Sequence, residues 1–328
     1  MKSISYLLLF LLLVEPPAQL HAQISEYEPI TADNVERIQQ IALLTHDSEN
    51  TISQLTFHPS DRTLFSLAGV ISLWDIETGS MLKELLLPTD YATSFSIHPN
   101  GNYLLYGGWD LTDHANFATL NHWNLNTDEN TLLFREGNDD IEVITFNQDG
   151  KLYAAAGWDE KHTRVWKAKT DEMLVTLPGY AVRNLEFTQS NPLIVSGGET
   201  VVWDTERNMP VLSLDSPYVF QHPGLNAVFV RPNSSNQPYS MIDLERPDIA
   251  VPVGIDGSPF TFNTSGDLIT IVYDGEIWLA DFESGERLVA IGYYGGNFPP
   301  PIAFAPDGKY IAVPVGPGEI GIWGVPAL

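Results

Sequence analysis

Apolar residues recur along this chain in short alternating runs, each closed by a turn rich in Pro, Asn, Asp or Gly. Leu55-Thr56-Phe57 precedes His58-Pro59, Phe95-Ser96-Ile97 precedes His98-Pro99, and Ile144-Thr145-Phe146 precedes Asn147. Leu185-Glu186-Phe187, Val228-Phe229-Val230, Phe260-Thr261-Phe262 and Ile302-Ala303-Phe304 continue the series. With Phe57, Ile97, Phe146, Phe187, Val230, Phe262 and Phe304 as anchors, the intervals are 40, 49, 41, 43, 32 and 42 residues. Alternation of period two, bounded by turn formers, predicts strands.

A second ladder interleaves with the first. Trp74, Trp123, Trp166, Trp203 and Trp323 occupy one slot of the repeat, and Ile242 and Ala280 fit the same slot without the indole. Its mean interval is again about 41 residues. Between the ladders lies a third apolar segment, such as Thr63-Leu64-Phe65-Ser66-Leu67, and after the second ladder a fourth, such as Met81-Leu82-Lys83-Glu84-Leu85. Four short strands per unit and a common period in the forties predict propeller blades. The predicted fold class is all-β: a seven-bladed β-propeller of four-stranded antiparallel blades.

The chain ends soon after Trp323, which leaves the seventh blade without an outer strand. Residues Ile38 to Thr45 resemble the fourth strands elsewhere, so an N-terminal strand is expected to close the ring and remove an open edge. A helical turn near residues 33–38 is expected to lead into it. Blade five is expected to be degenerate. Only 12 residues separate Val230 from Ile242, and Asn233 to Pro238 reads as a loop in place of a full second strand.

The N-terminus reads differently. Lys2 precedes a run of apolar residues from Ile4 to Val14, and Glu15-Pro16-Pro17 stops it. With His21-Ala22 as a cleavage point, residues 1–22 have the pattern of a secretory signal peptide. The expected organisation is a signal peptide over 1–22, a lead-in over 23–34 and a single propeller over 35–328. The expected location is secreted or in the cell envelope, with no membrane insertion after cleavage.

At the level of motifs the chain resembles the WD-repeat (WD40) β-propeller family. Ile71-Ser72-Leu73-Trp74-Asp75, Val201-Val202-Trp203-Asp204 and Phe304-Ala305-Pro306-Asp307-Gly308 carry the resemblance, which covers residues 35–328. The resemblance implies a scaffold for protein interaction. One departure is plain: the family's Gly-His dipeptide, which feeds a hydrogen-bonded network reaching the third-strand Trp, occurs nowhere. Apolar packing between blades is therefore expected to carry stability. Trp109-Asp110 and Trp158-Asp159 mimic the motif but fall at the ends of second strands.

Charge and composition narrow the function. There are 42 Asp and Glu, 16 Lys and Arg and no Cys, a net charge of −26. That acidity argues against nucleic acid as a partner and favours a basic protein or peptide. No nucleophile elbow, zinc-protease helix or phosphate-binding loop occurs. Asp110, Asp113 and His114 share one long connection, but no matching spacing recurs, so no metal or other cofactor is expected. His58 and His98 read as turn residues. In the family's topology the connections from strand d to a and from b to c share one face. Trp109, Asp110, Asp113, His114, Trp158, Asp159, Tyr218, Tyr293, Tyr294 and Phe298 fall in those connections, as does His222. Aromatic side chains beside carboxylates suit protein recognition. The reading is a secreted, monomeric, non-enzymatic scaffold that binds a protein or peptide on that face. The alternative is a secreted propeller hydrolase or lactonase with a central metal.

Overall fold

The computed structural model describes residues 27–46, 51–60, 62–85, 91–110, 117–137, 141–157, 162–178, 182, 184–188, 192–197, 199–215, 219–230, 238–293 and 300–328. Its strands form seven antiparallel sheets, six of four strands and one of five. This is the seven-bladed propeller expected. The innermost strands of the blades (strand a) are Gln54–Phe57, Tyr91–Ile97, Val143–Phe146, Asn184–Phe187, Val219–Gln221, Ser258–Phe262 and Ala303–Phe304.

The register explains why two sequence ladders share one period. In successive blades Leu64 pairs Trp74, Leu104 pairs Trp123, Tyr153 pairs Trp166 and Leu193 pairs Trp203. Val228 with Ile242, Ile269 with Ala280 and Ile311 with Trp323 complete the set. A register shift between the third and fourth strands recurs at this slot, at Leu73/Trp74, Val165/Trp166, Val202/Trp203 and Leu279/Ala280. Such bulges sharpen the twist of a blade.

The core is divided among the gaps between blades. Among the described residues, seven apolar clusters each join two neighbours around the ring. The cluster joining the last blade to the first contains Leu64, Trp74 and Phe57 from one side and Tyr310, Ile320 and Ile322 from the other. Leu44 belongs to it too. Its strand, Gln39–Thr45, runs antiparallel to the last strand, Glu319–Pro326, with Leu44 opposite Ile320. The chain thus closes its own ring, as expected. A 3-10 turn at Val35–Arg37 leads into the closing strand. Ordered packing reaches back further than residue 35. Tyr27–Glu28 pairs the same last strand, and Ile30 is buried with its N–H donating to Gly308 O at 2.9 Å.

Blade five departs from expectation, since it has four strands. Val219–Gln221 is its first, Ala227–Val230 its second, Tyr239–Asp243 its third and Ala250–Val253 its fourth. Val228-Phe229-Val230 is therefore a second strand, not a first. A four-residue strand buried at every position has the same appearance in either place. The true first strand is only three residues long and ends in Gln221. His222, assigned above to the d–a and b–c face, lies instead in the a–b turn on the opposite face.

His58, His98 and His222 are more than turn residues. Each imidazole reaches the next blade and meets a glycine carbonyl: Gly101 at 2.9 Å, Gly150 at 2.9 Å and Gly266 at 3.0 Å. The glycines have φ of +74°, +70° and +80°, and a Cβ on any of them would lie within 2.6 Å of the histidine ring. The conformation and the close approach both require glycine. Asn263 makes an analogous bond to Ile30 O at 2.9 Å.

Among the described residues the hydrogen-bonded network that the missing dipeptide put in doubt survives in one blade. Trp74 Nε1 donates to Ser66 Oγ at 2.8 Å, and Ser66 Oγ lies 3.0 Å from His46 Nε2. His46 follows Thr45 instead of Gly, which is why the dipeptide search missed it. The positions matching Ser66 in the other blades are Tyr106, Ala155, Val195, Val230, Ile271 and Val313, none of which can bridge as serine does. Trp203 and Trp323 accordingly keep buried indole N–H groups without a partner.

Two measurements check this account. A chain starting at Gln23 is expected to remain soluble with full thermal stability, and one starting at Asp47 to lose cooperative unfolding, because Gln39–Thr45 is gone. Equal melting temperatures would contradict ring closure. Ser66→Ala is expected to cost about 2 kcal/mol in urea titration, because it strands the Trp74 N–H in the core. Ser72→Ala is expected to be neutral, since Ser72 is equally buried and its hydroxyl has no partner.

Candidate functional site

The first strands surround the axis of the ring, and at one end they enclose a cavity of about 540 Å³. Its wall is built from five blades, three through seven. Residues of the a–b turns, including Gln148, Pro223 and Thr264, form its rim, so the mouth is on the a–b face. The alternation of Val143–Phe146 and Asn184–Phe187 sets Thr145 and Glu186, which line the cavity, between buried neighbours. The register puts Thr56, Ser96, Thr145, Glu186, Phe220, Thr261 and Ala303 at the matching positions of the seven first strands; Phe220 packs instead between blades five and six, and Gln221 lines the cavity there. Six are hydroxyls or apolar, and one is a carboxylate.

Glu186 is half-buried by exposed area because the cavity opens in front of it. Its carboxyl is nevertheless surrounded by protein, and this desolvation raises its pKa from 4.5 to about 7. A hydrogen bond from the Gln221 side chain opposes the shift without cancelling it. The Gln221 amide also donates to Phe187 O at 3.1 Å, which fixes it across the gap between blades four and five. His222, the other titratable side chain of the wall, has both ring nitrogens engaged. Nε2 meets Gly266 O, and Nδ1 accepts from Gly224 N at 3.1 Å. Burial lowers its pKa, so the ring is neutral at neutral pH.

Sequence reasoning singled out neither Glu186 nor Gln221. The signal was present: a Glu stands where the aligned first strands have Thr, Ser, Phe or Ala.

Of the residues expected to bind a partner, Asp113, His114, Trp158, Asp159, Tyr218, Tyr294 and Phe298 lie outside the described residues. Trp109 and Asp110 end the second strand of blade two, pairing Ala118 and Phe117, and Trp109 is half-buried. The long connection there is partly spent on strand, since Tyr103–Asp110 and Phe117–Asn124 are eight residues each. Tyr293 is 61% exposed at the end of the last strand of blade six. Blades two and six are three steps apart around the ring, so Trp109 and Tyr293 do not form one cluster.

Tyr293 has neighbours that the sequence did not single out. It pairs Glu276, which pairs Tyr273 on the other side. Tyr273 is 38% exposed, and the Arg287 guanidinium lies 3.6 Å from its ring centre. Arg287 is also bonded to Asp256 at 3.1 Å. Three strands of one blade thus present Tyr, Glu and Tyr in a row, beside an arginine already held in place.

Among the described residues no three His, Cys, Asp or Glu side chains gather as metal ligands would, and no helix is long and apolar enough to cross a membrane.

No protein-family profile matches the chain. Curated proteins do. Over 172 residues it is 23% identical to a p21-activated protein kinase-interacting protein 1-like protein of Gallus gallus, covering 52% of this chain and 43% of that protein. Over 123 residues it is 29% identical to the protein of the same name from Danio rerio, covering 37% of this chain and 31% of that protein. The chain matches less than half the length of these curated relatives. They are WD-repeat proteins, and the seven-bladed architecture agrees with that distant similarity.

Glu186 makes a signed prediction. Its folded pKa is above its unfolded value, so the stability it supports is complete below about pH 4.5 and is lost as pH rises through about 7. At about 1.4 kcal/mol per unit, the loss is up to about 3 kcal/mol. Denaturant titration of Glu186→Gln beside the parent is expected to show the two equal near pH 4 and the variant more stable near pH 8. A constant difference across that range would place the carboxyl in free solvent.

Proposed function

We propose that this propeller is a non-enzymatic scaffold that docks a protein or peptide on the face built by its d–a and b–c connections. The observation that carries the reading is the strip of Tyr273, Glu276 and Tyr293 on blade six, where two exposed aromatic rings flank a carboxylate. Exposed tyrosines on a rigid strand supply contact area at low entropic cost, and a few such anchors usually dominate an interface. Blade six is held by apolar clusters on both sides, so the strip needs no reorganisation to bind. Trp109 and Asp110 extend the same face on blade two.

The kinase-interacting name of the relatives supports a protein as the class of partner. A net charge of −26 favours a basic one and makes association fast and salt-sensitive. The working state in this reading is a monomer, exported by residues 1–22, and N-terminal sequencing of the protein from the envelope or medium tests that part.

The docking face is tested with Tyr273→Ala and Tyr293→Ala combined, checked first for an unchanged melting temperature. Affinity capture from the envelope fraction is expected to lose its partners, since each anchor is worth about 2 kcal/mol or more. Charge reversal at Glu77 and Glu283, in turns of the opposite face, is expected to leave capture intact. The reverse pattern would move the interface to the a–b face.

A further inference from the structure

The axial cavity holds a carboxylate for which its described wall provides no opposite charge. Among the described residues of its wall there is no Lys or Arg, Glu186 is the one acidic side chain, and His222 is occupied by Gly266 and Gly224. The matching first-strand positions show that the fold does not require a carboxylate there, since Thr145 serves in the preceding blade and Phe220 in the following one. We propose that this cavity is a binding site for a monovalent organic cation, an alkylammonium or guanidinium group that enters through the a–b mouth and is held by the Glu186 carboxylate.

Chemistry and size both select that class. An anion would meet an unscreened carboxylate, and a divalent metal would find one carboxylate where it needs several hard oxygens. A cavity of about 540 Å³ suits a small molecule or one long side chain. Thr145 and Thr261 turn their hydroxyls only weakly onto their own strands, at 3.4 and 3.5 Å from the Phe146 and Phe262 carbonyls, which leaves lone pairs for N–H donors. A bound cation also offsets the cost of ionising Glu186, so binding and deprotonation are coupled. This site is on the opposite face from the proposed protein interface and stands or falls separately from it.

The test is calorimetric titration of the full chain with butylguanidinium, butylammonium and neutral butylurea. Both cations are expected to bind and the urea is not. Affinity is expected to rise about tenfold between about pH 6 and about pH 8 as Glu186 ionises, with proton release below neutrality seen as a dependence on buffer. Glu186→Gln, which mimics the neutral acid and should fold normally, is expected to lose at least tenfold in affinity. Thr145→Leu, which fills the cavity without changing charge, is expected to lose binding too. A capped Gly-Arg-Gly peptide assigns the source: tighter binding than the free cation means a protein side chain, weaker binding means a small molecule. No binding of either cation at millimolar concentration, equal binding of butylurea, or full affinity in Glu186→Gln overturns the proposal.

Discussion

A blade of this protein cannot bury both of its faces alone. Each four-stranded sheet is apolar on two sides, and the only apolar surface available to each side is the next blade. The core is therefore a ring of separate clusters, one in each gap. Stability in such a ring depends on neighbours, and an open gap would expose two faces at once. The closing strand Gln39–Thr45 makes the gap between the last and first blades continuous with the others. It joins the sheet of Glu319–Pro326 and sends Leu44 into the shared cluster.

Polar interactions refine this frame unevenly. The bonds from His58, His98 and His222 to glycine carbonyls tie adjacent a–b turns together along the ring. The Trp74–Ser66–His46 network is confined to the first blade, beside the closure. Elsewhere Tyr106 or an apolar residue replaces the bridging serine, and among the described residues Trp203 and Trp323 of the same slot accept an unsatisfied N–H in exchange for packing. Buried orphans of this kind each cost about 1 to 3 kcal/mol. The network is thus retained where the ring is joined by residues far apart in sequence and dispensed with where neighbouring blades follow one another along the chain.

The two faces differ in what they present. On the d–a and b–c face, blade six shows exposed tyrosines around Glu276, suited to the broad contacts of a protein. On the a–b face the axis opens into a walled cavity with one carboxylate. Glu186 is kept there at a cost set by desolvation. Thr145 in the preceding blade shows that Thr would fit the same position.

The period, the fold class and the closing strand were legible in the sequence because they rest on local alternation and on turn residues that every blade repeats. The tryptophan slot was legible for the same reason, and the structure gives it a fixed register. The strand assignment of blade five was not, since Ala227–Val230 is buried throughout and carries no alternation to say which strand it is. His46 was invisible to a search for Gly-His because Thr45 precedes it, although distance alone makes the bond to Ser66. The roles of His58 and His98 required knowing that the glycine of the next blade lies beneath each ring. Glu186 and Gln221 are 35 residues apart, and Tyr273 and Tyr293 are 20 apart. Sequence fixes which residues alternate. Only the closure of the ring decides which of them meet across a gap or face the axis, because those neighbours belong to different blades.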